Sequence, residues 1–197
     1  MMVTEAVDRY SYHQLRLWKL IPELPFPDRQ LSRYDYASGR SGTTSAIMGI
    51  IIEEAMIGAI MDSFDLEEII AHYNPGYYLP INQEEFRAMI AEGSRYLRTM
   101  IPSLSTGFPH YRCQYRTLTG VVDYHSYDHV VEIKSGYPAP FHLHRTAVQG
   151  LIYCAILKCR YLTLAYPGYG YYLTFDLEGW NPYPLLHFLT QYSDLSK

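Results

Sequence analysis

Hydrophobic and polar positions along this chain fall into stretches of different period, and each change of period predicts an element. Residues 10–20 suit a short helix, and the prolines between Pro22 and Pro27 make the next segment extended chain. Residues 43–61 are apolar almost all round, with Ser41, Thr43 and Thr44 as candidate caps, which predicts a buried helix. Helices are expected over 65–72 and 83–100, parted by Asn74-Pro75-Gly76, the second opened by Asn82. Beyond Pro102 and Pro109 the pattern shortens to that of strands, over 111–118, 121–124 and 129–134, with a turn across 124–128. A proline-free apolar stretch predicts a helix over 143–158. Residues 161–166 and 171–175 read as a hairpin around Pro167-Gly168-Tyr169-Gly170, and a short helix over 180–192 closes the chain.

Charge breaks this pattern at one informative place. Strand positions alternate faces, so Glu132 and Lys134 share a side while Val131 and Ile133 take the other. Opposite charges on a strand that otherwise looks buried need a reason, since unpaired buried charge is costly. Asp123, on the preceding strand, adds a second carboxylate. Hard divalent cations are commonly held by one or two carboxylates with water and substrate phosphate, so Asp123, Glu132 and the carbonyl of Ile133 form a candidate oxygen ligand set. Lys134 would orient a water or offset charge developing on a phosphate.

These residues resemble the PD-(D/E)XK nuclease superfamily, with Glu132-Ile133-Lys134 as its (D/E)-X-K element and Asp123 as the preceding acid. Val122 stands where many restriction enzymes have Pro, and Gly120-x-x-Asp123 is similar instead to the RecB-like branch, which includes phage-type exonucleases. That branch carries Q-x-x-x-Y on the next helix, matched here by Gln149 and Tyr153. Arg145, Gln149 and Tyr153 are spaced four apart and form a polar line on an apolar helix. The resemblance implies that Gln149 and Tyr153 support the site and that Arg145 reaches a phosphate. It also implies a third ligand on the early helix: Glu53, four residues after Gly49, with Glu54 as the fallback, where relatives often have His. Both glutamates would equally mark an exposed helix side.

The implied fold is α/β, a restriction-endonuclease-like core with a central mixed sheet flanked by helices. It would be a single nuclease domain over 1–197, with its core at about 42–177 and a helical insertion at about 63–104. The implied activity is metal-dependent hydrolysis of DNA, single- or double-stranded, with Mg2+ or Mn2+ and possible homo-oligomers. The rival is a nuclease-derived binding or assembly subunit without catalysis. Nucleophile-elbow, P-loop and HExxH patterns are absent from the sequence.

Composition narrows the setting. Net charge is −4, against a protein that coats nucleic acid by bulk electrostatics, yet residues 110–160 hold six Lys and Arg against Asp123, Asp128 and Glu132. The longest apolar run, 46–52, is too short for a membrane span, and residues 1–8 lack a signal-peptide pattern, so a soluble cytoplasmic protein is expected. Three cysteines, Cys113, Cys154 and Cys159, suit reduced thiols and are too few for a four-cysteine iron–sulfur cluster. His110, Cys113, His142 and His144 match no standard zinc spacing, and His125 and His129 flank the expected turn. Tyrosine is abundant at 21 residues and gathers at the last hairpin, where rings stack on bases or simply fill a strand; without basic residues nearby in sequence, the structural role is favoured.

Overall fold

A computed structural model of the chain describes residues 1–27, 46–73, 82–101 and 104–192. In chain order these form α1 (Val3–Arg9), α2 (Tyr12–Leu17), α3 (Ala46–Ile60), α4 (Leu66–Tyr73), α5 (Gln83–Met100), β1 (Phe108–Tyr115), β2 (Leu118–Ser126), β3 (His129–Ile133), α6 (Pro140–Leu157), β4 (Tyr161–Tyr166), β5 (Tyr171–Asp176) and α7 (Tyr183–Tyr192). The strands make one sheet in the order β1-β2-β3-β4-β5. All neighbours are antiparallel except β3 and β4, which run parallel because α6 carries the chain back between them.

Helices cover both faces, which is why all five residues of β3 are buried. On one face α6 packs against β3, β4, α1, α2 and α7, burying Val130, Leu151, Leu162 and Leu164 in one core. On the other, α3 and α5 bury Ile52, Met56, Phe86, Ile90, Val131 and Ile133 in a second. α3 turns apolar residues to nearly every side because it lies between the sheet, α4 and α5. The architecture is therefore α/β, a five-stranded mixed sheet flanked by helices. No helix among the described residues is long and apolar enough to cross a membrane.

Several expected boundaries move, each for a local reason. The helix expected over 10–20 is shorter, Tyr12–Leu17, since Ser11 caps it by accepting the Gln14 N–H, and a further helix, α1, precedes it over Val3–Arg9. The turn between β2 and β3 shrinks to Tyr127 and Asp128: Tyr127 takes a left-handed φ of 43°, and Tyr124, His125 and Ser126 pair with β3. β1 ends at Tyr115 because Arg116 turns the chain at φ 52°. α6 starts three residues early, at Pro140, whose missing N–H costs nothing in a first turn. α7 begins only at Tyr183, whose N–H is taken by Asn181 Oδ1. The candidate caps Ser41, Thr43 and Thr44 and the break at Asn74-Pro75-Gly76 lie outside the described residues.

His129 ties the parallel pair together and gives the fold an acid-sensitive point. Its ring is 4 % exposed, stacks on Tyr161, and places Nε2 2.6 Å from Thr163 Oγ1. Burial pushes its pKa down to about 4 against the opposing pull of Asp128. The unfolded chain takes up this proton below about pH 6.5 while the folded one refuses it, so this contribution to stability shrinks from pH 6.5 to 4. Urea unfolding across that range should show a loss on the order of 2–3 kcal/mol that His129→Asn does not show. Equal pH dependence in both proteins would contradict this account.

Candidate metal centre

The site grows from a distortion in β2. Residues two apart on a regular strand share a face, yet Val122 belongs to the α6-side core and Tyr124 to the α3-side core. The strand turns over at Asp123. The β1–β2 ladder pairs Pro109 with Tyr124 and Tyr111 with Val122 but skips His110 and Asp123, and the β2–β3 ladder stops at Tyr124 and Val131. Where the next ladder bond would form, the Asp123 carboxylate takes the place of a main-chain acceptor. Its Oδ2 accepts the Ile133 N–H and the Lys134 ammonium, both at 2.8 Å.

Lys134 binds two carboxylates at once, since its Nζ also stands 2.8 Å from Glu132 Oε2. Glu132 and Lys134 thus share a side, as their spacing requires. Glu132 is fully buried, and neither of its oxygens has a hydrogen bond of good geometry; the contact to Lys134 is an ion pair by distance. One ammonium cannot neutralise Asp123 and Glu132 together. Burial, then Asp123, push the Glu132 carboxyl up to about 8 against the pull of Lys134. For Lys134 burial acts downward, but the two carboxylates outweigh it and hold the ammonium well above its usual range.

Glu53 comes from the other layer. Gly49 lies so close to the strand end that a Cβ there would stand 3.0 Å from Ser135 Oγ, and Glu53 follows one helical turn later. Burial, then Asp123, push its carboxyl up to about 7, so it shares the field of the same charge cluster. His110 sits beside it with Nδ1 3.5 Å from Glu53 and Nε2 3.0 Å from Glu54. Its φ of 47° is uncommon for a residue with a side chain, and by register it faces Asp123. In the sequence His110 groups only with a notional zinc set. Its proximity to Glu53 depends on how α3 docks on β1 and left no local signal.

α6 closes the opposite side. Tyr153 is buried with its ring over Gly120, where a Cβ would be 2.5 Å from Cε1, so that glycine leaves the space the ring fills. Burial, then the charge of Glu132, raise the phenol pKa, while Gln149 one turn earlier acts against the rise. The helix therefore brings Tyr153 to the carboxylates, with Gln149 hydrogen-bonded to its phenol. Arg145 is engaged elsewhere, with Nη2 2.6 Å from Asp8 Oδ1 on α1.

The remaining histidines and cysteines are dispersed. His144 stacks on Tyr12 and abuts His13 and Phe26, and the three cysteines are buried free thiols. Burial pushes Cys113 up to about 11 and Cys159 up to about 12, the range of unreactive thiols. Among the described residues no three His, Cys, Asp or Glu side chains form a ready-made cation cage. The buried carboxylate of Glu132 beside Asp123, with Lys134 against one of its oxygens, nevertheless fits the two-carboxylate pattern of a magnesium or manganese ion, which draws its other ligands from water and phosphate. Comparison with family models, with curated proteins and with solved structures returns no match for this chain.

Two outcomes follow from the geometry. Glu53 and Glu132 keep protons in the folded chain that the unfolded chain has released by about pH 5, so without added metal stability should fall as pH rises from 5 to 8. Thermal melts of Glu132→Gln should show a shallower fall; an unchanged slope would contradict the burial of that charge. Gly120→Ala should drive Tyr153 off its seat and cost about 1–3 kcal/mol in urea unfolding.

Proposed function

We propose that this chain is a divalent-metal-dependent nuclease of the PD-(D/E)XK kind, on its RecB-like branch, that hydrolyses phosphodiester bonds of DNA. The observation that carries the reading is the Asp123–Lys134–Glu132 cluster, with two carboxylates on one ammonium and Glu132 fully buried. The order of helix, three strands, helix and two strands around a mixed sheet supports it. A soluble cytoplasmic protein acting on single- or double-stranded DNA, alone or as a homo-oligomer, fits the same reading.

When bound, a magnesium or manganese ion would supply positive charge to the reacting phosphate and acidify a water. Asp123 and Glu132 would hold it, with Glu53 and the Ile133 carbonyl completing the protein ligands. Lys134 offers its ammonium to the charge that develops on the phosphate. Tyr153 and Gln149 keep the Glu132 side of the site dry and fixed in place. Arg145 would contact a phosphate only by releasing Asp8.

One observation favours a second reading, a nuclease-derived binding subunit: Lys134 already spans both carboxylates, and the chain carries net charge −4. Purified protein with manganese, given linear, nicked, branched and single-stranded DNA, distinguishes the two. The nuclease should cleave at least one substrate, stop with chelator, and lose at least about 100-fold in rate in Asp123→Asn, Glu132→Gln or Lys134→Ala. Manganese at a hundredfold excess over its Kd should stabilise the fold by about 2.7 kcal/mol. DNA binding without cleavage or metal stabilisation would establish the binding subunit, and cleavage indifferent to all three substitutions would belong to a contaminant.

A further inference from the structure

Tyr166 of the last hairpin feels Lys134 and Glu132, but Tyr171 and Tyr172 lie outside the charge cluster and line a cavity of their own. Between α5 and the tip of the β4–β5 hairpin opens a cleft of about 460 Å3, within the size range of small-ligand sites. Its walls carry Tyr171 and Tyr172 from the hairpin and Arg95 and Tyr96 from α5. The hairpin supplies rings without positive charge, and α5, some seventy residues earlier in the chain, supplies the guanidinium.

We propose that this cleft binds unpaired bases of a single nucleic-acid strand, a role that rests on the nuclease reading for its place beside the metal centre. Tyr172 and Tyr96 stack at 4.7 Å with planes 27° apart. Tyr172 is held by a close approach to α5: a Cβ on Gly93 would meet its hydroxyl at 2.3 Å. Tyr96, by contrast, is 41 % exposed, so the pair ends in an open aromatic surface on a fixed support. A flat base extends such a stack without regard to sequence. Arg95 is exposed and makes no ion pair among the described residues, which leaves it for a base or a phosphate.

Charge and position favour a single strand. Glu92 shares the wall with Arg95, so the cleft has no net charge to attract the paired phosphates of a duplex. Binding would come from stacking, which duplex bases cannot offer while paired. The parallel β3–β4 pair puts the cleft and the lysine of the charge cluster at the same end of the sheet: the Lys134 N–H donates to the Ala165 carbonyl at 2.8 Å, and Tyr166 leads from there into Pro167, which lines the cleft. A strand lying across that end of the sheet would meet both.

The test uses the full chain in chelator, so that binding is read without cleavage. Oligodeoxythymidylate and oligouridylate carrying one 2-aminopurine are titrated, with fluorescence quenching reporting stacking and anisotropy reporting binding. Wild-type protein should quench the probe, bind a duplex of equal length more weakly, and lose affinity only modestly with salt. Tyr96→Ala should weaken binding about 5- to 100-fold and abolish quenching, while Tyr96→Phe keeps both. Arg95→Ala should weaken binding and lower the salt dependence by about one ion. Quenching and affinity unchanged in Tyr96→Ala, or no binding to either oligonucleotide, would overturn the proposal. If wild-type protein binds through Tyr96 yet cleaves nothing with manganese, the cleft stands and the nuclease reading falls. If it cleaves and Tyr96→Ala binds normally, the reverse holds.

Discussion

A carboxylate that cannot reach water governs the centre of this fold. Glu132 sits in the middle strand of a sheet covered on both faces, and a lone charge there would cost several kcal/mol. Lys134 offsets part of that cost, and it can do so only because Asp123 holds the ammonium from the other side. Asp123 reaches it only because β2 turns over at that residue and gives up its ladder pairing with both neighbours. The distortion of one strand, the burial of another and the seating of α3 beside them are therefore one problem with one solution. What remains is excess negative charge, which the protein meets by retaining protons and which a cation would meet better.

Much of this was legible in the sequence because it is local. β-branched runs marked the strands, and the two-residue spacing of Glu132 and Lys134 fixed their shared side. The four-residue spacing of Gln149 and Tyr153 sets them side by side on α6, where Tyr153 feels Glu132 and Asp123. What escaped depends on tertiary placement. Nothing near Asp8 announces that it will take Arg145, and nothing near His110 announces Glu53 and Glu54. The turn is narrower than 124–128 because Tyr127 adopts a left-handed backbone that its residue type does not advertise. Arg95 beside the hairpin tyrosines is the same kind of miss, since the hairpin sequence lacks the charge that α5 brings.

The two layers divide the labour. The α6 side is dry and closely packed against the sheet and presents buried phenol and thiols. The α3–α5 side carries groups that remain accessible, among them Glu53, Glu54 and His110 by the charge cluster and Tyr96 and Arg95 in the cleft beside the hairpin tip. Rigidity under the carboxylates and access beside them are thus assigned to opposite faces, and one parallel strand pair joins them.

The order of elements along the chain also bears on how the centre can assemble. Asp123, Glu132, Lys134, Gln149 and Tyr153 all lie within the unbroken run from β2 through β3 to α6, so their contacts close over short stretches of chain. Glu53 reaches the same cluster only after the chain has traversed α4 and α5, a far longer loop to close. Topologies of this kind gather local contacts first, because distant ones must offset the entropy of the loop between. The charged half of the centre can therefore take shape on a nascent hairpin and helix, with the docking of α3 as the step that completes it.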